Sequence, residues 1–476
     1  LISLGTLRAT IYETLTTLEQ PSESPHSLRR HLRLRDLIFT QILSVVGNTW
    51  VGIAATLGSG ESLTWVLAML VFYFPLAAAV IYLSRAMPFE GGLYRWAKNS
   101  FGDLLGFMVA WNLWVYAMTM VADILFEIPT GLAFLIGPAA AWLPGNRPIS
   151  LLLILVILAA ITAFTIRGLT IGKWIHNIGG ISILSVYVVL MFLPVWARLR
   201  GVPVAWHPLA MHLPPMNLFS FAIFGQMIFG ALSGLEYVAI LAEENKGSSR
   251  TIGLSVIFAS PVICAMFILG TASVLAFQGG DKINFIAPIP QTLRWAFGNQ
   301  GLGALFAGGA ILLMQMRVLG VVSFLFTGAT RLPLATGWDH LIPAWFARQH
   351  QRWLTPVNAI LFSALLIFVL LVLGSTGVGV QEGFQVLSNA SDSHYALTYL
   401  AMFAIPVIGS KSLRLSFPPW LKWTSALGFC ATLFSFLISA YPFVDVVNPQ
   451  IYAVKVLGTV LVSNIVGFTF YRMRRN

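Results

Sequence analysis

Asp123, Glu127, Glu236, Arg317 and Asp392, with His394 close by, fall inside long runs of apolar residues. A charge at such depth marks a substrate or ion path, a proton relay or a gate, because hydrocarbon tolerates it only against a cavity or a partner. Two apolar runs are also interrupted by small and polar residues, at Gly47-Asn48-Thr49-Trp50-Val51-Gly52 and at Gly230-Ala231-Leu232-Ser233-Gly234-Leu235-Glu236. Both are poor helix interiors. Backbone that leaves the helix at membrane depth must line a cavity or be buried in protein, since lipid satisfies neither amides nor carbonyls. A broken helix offers free N–H groups at one half-helix start and free C=O groups at the other end, so one place holds a carboxylate and an ammonium together. This is chemistry suited to an amino acid. The plainer alternative, for either segment alone, is close helix packing through small residues.

The elements that position these groups follow from composition. The 476 residues are 57% hydrophobic and only 9% charged, with a mean hydropathy of +0.82, which excludes a soluble globular protein and demands lipid as solvent. Apolar runs predict spans near 36–57, 64–86, 103–126, 149–166, 174–197, 217–242, 251–277, 301–328, 356–374, 383–408, 420–440 and 451–471, about twelve in all. With the N-terminus inside, 20 of the 28 Lys and Arg residues fall in inner segments and 6 in outer ones. The positive-inside rule then puts both termini in the cytoplasm, in an integral, multi-pass protein of the plasma or inner membrane. Trp142, Trp196, Trp206, Trp345, Trp353 and Trp420 sit at or near span ends, as interface anchors do. The excess of basic residues, net charge +11, is spread over these short loops and points to a lipid surface, not to nucleic acid. Cys264 and Cys430 lie in apolar runs and read as small packed hydrophobes. Residues 1–33 read as a cytoplasmic tail without a cleavable signal, 34–408 as a transport core of helices 1–10, and 409–476 as helices 11 and 12 with a short cytoplasmic end.

Spans 1–5 and 6–10 form two five-helix blocks, and an odd block inverts the second relative to the first. Spans 1 and 6, which carry the interruptions, are then equivalent, and that is the sequence pointer to a midplane site in secondary transporters. Three loop motifs reinforce it. Pro88-Phe89-Glu90-Gly91-Gly92-Leu93-Tyr94-Arg95-Trp96-Ala97 is followed by Phe101-Gly102, and Gly234-Leu235-Glu236 by Ala242-Glu243-Glu244-Asn245-Lys246 and Arg250-Thr251-Ile252. Arg331-Leu332-Pro333 runs through Trp338-Asp339-His340-Leu341-Ile342-Pro343 to Thr355-Pro356-Val357-Asn358-Ala359. Together, in this order, they resemble the amino acid–polyamine–organocation permeases over nearly everything from Leu34 to Ile408.

The resemblance implies an all-α, polytopic membrane fold, an inverted five-plus-five helix repeat of the LeuT-like kind with broken helices 1 and 6. It implies a secondary transporter, antiporter or symporter, working by alternating access, with helices 1, 2, 6 and 7 rocking against a scaffold. It further implies that the substrate is held by Val46, Gly47, Asn48, Thr49 and Trp50 on helix 1 and by Gly230, Ala231, Ser233 and Gly234 on helix 6. Amides near Gly47 to Trp50 would take the carboxylate, and carbonyls near Gly230 to Ser233 the amino group. The family's usual Gly-Ser-Gly run in helix 1 is Gly47-Asn48-Thr49 here, which narrows the backbone approach. At the helix 6 position where some relatives place an aromatic lid stands Gly230 or a small neighbour, which leaves room for a larger substrate side chain. The lysine some relatives use in helix 5 for proton coupling is matched by Ser182 or Ile183.

Glu236, after the second interruption, matches the family's helix 6 acid and suits gating or proton coupling. Asp123 and Glu127 lie near the predicted outer end of span 3, where interface water would solvate them; otherwise Asp123, like Asp392 and Arg317, belongs with the gating or coupling groups. Arg317 needs an acidic partner. Span 10 holds Ser388-Asn389-Ala390-Ser391-Asp392-Ser393-His394-Tyr395, which either lines the pathway, with Asn389 on the substrate, or starts a re-entrant helix. Ser323 and Thr327 offer oxygens to Na⁺, or bond back to their own helix. No cofactor or metal site is expected beyond coupling to H⁺ or Na⁺. The partners are a small-molecule amino acid or organic cation and the bilayer. Membrane enzymes are disfavoured because HExxH, a phosphate loop and Gly-x-Ser-x-Gly are all missing. A polyamine or organocation carrier or exchanger, a channel and a non-transporting amino acid sensor stay open.

Overall fold

The structure is a computed structural model that describes residues 34–87, 92–236, 249–335, 344–353, 355–375, 379–409 and 416–475. Among them every regular element is helical. Nine helices among the described residues are long and apolar enough to cross a membrane: Gly58–Ala86 (span 2), Asp103–Ile136 (span 3), Arg147–Arg167 (span 4), Ile178–Leu199 (span 5), Gly253–Phe277 (span 7), Gly301–Thr330 (span 8), Val357–Gly374 (span 9), Pro419–Ile438 (span 11) and Pro449–Met473 (span 12). Span 1 is the pair Leu37–Val45 and Thr49–Ala55, bent by 49° at its break. Leu218–Ala231 (span 6) is a shorter apolar helix, and Val380–Ala404 (span 10) is a 25-residue helix outside the set that hydropathy selects.

Several boundaries depart from expectation for local reasons. Span 3 runs ten residues past its expected end after a one-residue interruption at Phe126; Pro129 removes the donor that the Leu125 carbonyl would need. Span 6 ends at Ala231, and residues 237–248 lie outside the described residues. Two connections the sequence left as loops are helices, Gly92–Phe101 between spans 2 and 3 and Pro288–Phe297 between spans 7 and 8. Both are amphipathic and short, so hydropathy over a span-length window misses them. The described part of the first loop motif is packed into the bundle: Trp96 is buried and its indole N–H donates to the Met87 carbonyl at 2.9 Å. In the third, Thr355 donates to the Ile166 carbonyl at 2.7 Å and Asn358 to that of Trp345 at 2.6 Å. The remaining motif residues, Pro88–Gly91, 242–246 and 338–343, and the tail 1–33 lie outside the described residues.

Two helix pairings organise the bundle. Span 5 packs along span 8, and span 3 along span 10. An inverted repeat makes these pairings equivalent, because span 5 maps onto span 10 and span 8 onto span 3. Spans 5 and 8 approach closely because glycine faces glycine: a Cβ on Gly179 would stand 3.2 Å from the Gly320 Cα. With lipid on both sides of the comparison, such packing and interhelical hydrogen bonds supply the association energy, about 0.6 kcal/mol for a typical bond. Those bonds include Gln41 to Ser255 at 3.0 Å (spans 1 and 7), Trp65 to Thr271 at 2.9 Å (spans 2 and 7) and Asn112 to Asn464 at 2.7 Å (spans 3 and 12). Leu152, Val156, Phe192, Leu365, Val454 and Leu461 stand exposed on the outer faces, an apolar belt that lipid covers.

Candidate functional site

Between Val45 and Thr49 span 1 leaves the helix, and its two free carbonyls are claimed by neighbours. Arg317 of span 8 donates to the Val46 carbonyl at 3.4 Å, and Tyr187 of span 5 donates to that of Gly47 at 2.8 Å. Asn48 is held by the connection after span 7: its amide donates to the Ile286 carbonyl at 2.8 Å and its oxygen accepts the Ile289 amide at 3.3 Å. It thereby caps the helix Pro288–Phe297 from a distance and ties the break to the connection between spans 7 and 8. Thr49 is buried at the first turn of the outer half-helix, where amides lack intrahelical acceptors.

Span 6 widens into a π-helix over Gln226–Ala231 and then stops. Gly234 sits at φ +107°, backbone that a side chain rarely adopts, and this lets the chain turn back to bury Glu236. Span 10 holds the turn. The Tyr399 hydroxyl accepts the Gly234 amide at 2.8 Å and donates to Glu236, whose other oxygen accepts from Tyr395. The rings are fixed in turn: Tyr395 stacks on Tyr116 of span 3 at 3.9 Å, and Phe229 meets Tyr399 edge-on at 5.1 Å. Ala231 and Ser233 are buried beside the break.

Trp50 joins the two breaks. A Cβ on Gly47 would lie 2.7 Å from its indole nitrogen, and a Cβ on Gly230 would lie 2.7 Å from both the far edge of the same ring and Asp392 Oδ2. The space expected over Gly230 for a large substrate side chain is therefore filled, in this structure, by the indole and a carboxylate. Only glycine lets the two meet there.

The intramembrane charges do not meet water. Asp123 and Glu127, 3% and 6% exposed, lie on one face of span 3 inside the bundle; the helix runs on to Ile136, so they are not at its end. Arg317 pairs with Glu127 at 3.4 Å, and Asn48 also reaches that carboxylate at 3.5 Å. Asp123 has Ser388 as a hydrogen-bond partner and faces Glu127 and Asp392. Span 10 is a continuous helix from Val380, not a re-entrant start. Its Asn389 ties helices together: it accepts from Gln226 at 2.7 Å and spends both amide hydrogens, on the Ser439 carbonyl at 2.8 Å and on Tyr452 at 2.6 Å. His394 likewise bonds Ala390 and Ser463. Ser323 is buried and Thr327 half-buried on span 8, beyond Arg317, while the span 1 carbonyls that a cation there would share are engaged by Arg317 and Tyr187. Ser182 and Ile183 are buried on span 5. Residues missed from sequence are Tyr187, Tyr116 and Tyr399. Their only signal is a phenol within a membrane helix, which has a polar end to satisfy.

Two discontinuous helices meeting inside an all-helical membrane bundle are the pattern of an inverted-repeat transporter fold. The chain belongs to the amino acid permease family, whose family model matches residues 34–463. It is similar to an uncharacterized transporter of Legionella pneumophila, 25% identical over 387 residues, 80% of this chain and 81% of the relative. It is also similar to the branched-chain amino acid permease BcaP of Bacillus subtilis, 26% identical over 361 residues, 71% of this chain and 73% of the relative. A methylthioribose transporter of Bacillus subtilis is 26% identical over 363 residues, 72% of this chain and 74% of the relative. The protein is thus an integral multi-pass membrane transporter, and its family acts as permeases, not as enzymes.

Proposed function

We propose that this permease moves an amino acid by alternating access, with the substrate seated between the breaks of spans 1 and 6. The observation that carries this reading is the position of Trp50, packed against Gly47 of one break and Gly230 of the other. The substrate displaces that indole, its carboxylate taking the amides near Gly47 to Trp50 and its amino group the carbonyls near Gly230 to Ser233. Each break is also tied to helices outside the bundle of spans 1, 2, 6 and 7: span 1 to spans 8, 3 and 5 through Arg317, Glu127 and Tyr187, and span 6 to span 10 through the bonds of Tyr395 and Tyr399 to Glu236. Exchange of these ties as the substrate binds and leaves is the gating step, and Glu236 is the group best placed to couple it to a proton. The arginine-rich inner segments orient both termini to the cytoplasm of a plasma or inner membrane.

Counterflow tests this reading. Purified protein in liposomes preloaded with mixed unlabelled L-amino acids should accumulate labelled amino acid saturably. A channel equilibrates without accumulation and a sensor takes up nothing, so either result would overturn it.

A further inference from the structure

We infer that the seat between the breaks is built for a substrate with a cationic nitrogen on its side chain, held by Asp392 and Asp123. This rests on the amino acid carrier reading above and names its substrate class. Asp392 reaches the span 6 break directly, its Oδ2 being 2.7 Å from where a Cβ on Gly230 would stand. That oxygen has no hydrogen-bond partner, and the residue is only 6% exposed. Asp123 faces it from span 3, 3% exposed, with Oδ1 equally unpartnered. Gln226, four residues before Gly230, adds a third buried acceptor without a partner, Oε1, while its amide is spent on Asn389.

Buried acceptors without donors are costly, and two carboxylates more so. Among the described residues no Lys or Arg forms an ion pair with either carboxylate. The terminal nitrogens of Arg317 go to Glu127 and to the Val46 carbonyl at the other break. Among the described residues no three His, Cys, Asp or Glu side chains converge, as a transition-metal site would need. An alkylammonium or guanidinium fits better: it brings several N–H donors to acceptor-only oxygens. A neutral aliphatic side chain in this place would bury the two carboxylates against methyl groups and gain nothing from them.

The same ammonium could arrive on a basic amino acid or on a diamine, so the test has separate arms. Proteoliposomes carrying the full chain are preloaded with unlabelled L-lysine, L-leucine or putrescine and assayed for counterflow of each labelled compound. The wild type should take L-lysine at least tenfold more efficiently than L-leucine. Asp392→Asn should raise the lysine KM by about tenfold or more, the range for a lost charge-assisted bond, and lower the preference for lysine over leucine by a similar factor. Asp392→Glu should restore part of the lysine preference. Asp123→Asn supplies a second, independent variant should Asp392→Asn not fold. Leucine preferred, with lysine neither transported nor competing, overturns the inference and leaves the carrier reading intact. So does an Asp392→Asn that shifts only the pH profile, because the pair then holds protons. Putrescine accepted with lysine refused supports the ammonium seat and overturns the amino acid reading, while no counterflow of any compound overturns both.

Discussion

The Tyr399 hydroxyl accepts the Gly234 amide hydrogen at 2.8 Å and donates to Glu236, so one side chain of span 10 holds both sides of the turn that ends span 6. Span 6 cannot move relative to span 10 without breaking that pair of bonds. A hydrogen bond to a charged group contributes about 1.5–3 kcal/mol. Tyr399→Phe keeps the ring and its packing on Phe229 but removes the hydroxyl, and counterflow should slow by about tenfold or more. An unchanged rate in a stable Tyr399→Phe protein would mean the bond plays no part in the cycle.

Gly234 itself is the backbone counterpart of that bond. At φ +107° an added methyl strains the turn by about 1–3 kcal/mol. Gly234→Ala should therefore lower the melting temperature and the transport rate together, whereas Gly458→Ala, where a Cβ meets nothing within 4 Å, should alter neither.

Arg317 and Glu127 form a buried pair, 4% and 6% exposed. Removing one partner strands the other, at about 3–5 kcal/mol. Arg317→Met should lower thermal stability sharply. Adding Glu127→Gln should recover part of the loss, with a coupling of about 1–3 kcal/mol in a double-mutant cycle. Strict additivity of the two changes would show that the pair does not act as one.

Asn48 links the span 1 break to Ile286 and Ile289. Asn48→Ala should cost about 1 kcal/mol, as loss of a helix cap does, and should raise hydrogen exchange in Pro288–Phe297. Exchange confined to its wild-type level would place the cap elsewhere.

Most of this fold was legible in the sequence because lipid enforces a simple code. Apolar runs had to be helices, and the asymmetry of basic residues pointed to an even number of them. The two breaks were visible as glycine and polar residues where no membrane helix wants them. What was not legible is what each polar side chain faces. Asn48 and Asn389 looked like substrate groups because they are polar and central, yet both are consumed in tying helices together. Asp123 and Glu127 looked like interface groups because the run seemed to end there; Pro129 interrupts the helix without ending it. Gly230 looked like empty space, and only the folded chain shows that Trp50 and Asp392 occupy it. The partner of Arg317 lies 190 residues away in sequence, a separation that no local pattern encodes.

The central claim is a single seat between two breaks, and site-directed labelling measures it directly. With Cys264 and Cys430 replaced by alanine, Ser233→Cys places one thiol at the span 6 break, and Asn299→Cys, exposed in the connection between spans 7 and 8, serves as control. Labelling of the thiol at 233 should slow in the presence of a transported amino acid, with a concentration dependence that follows the transport KM, while labelling at 299 stays constant. Labelling at 233 that ignores a substrate the same protein demonstrably transports would put the seat elsewhere and contradict the account.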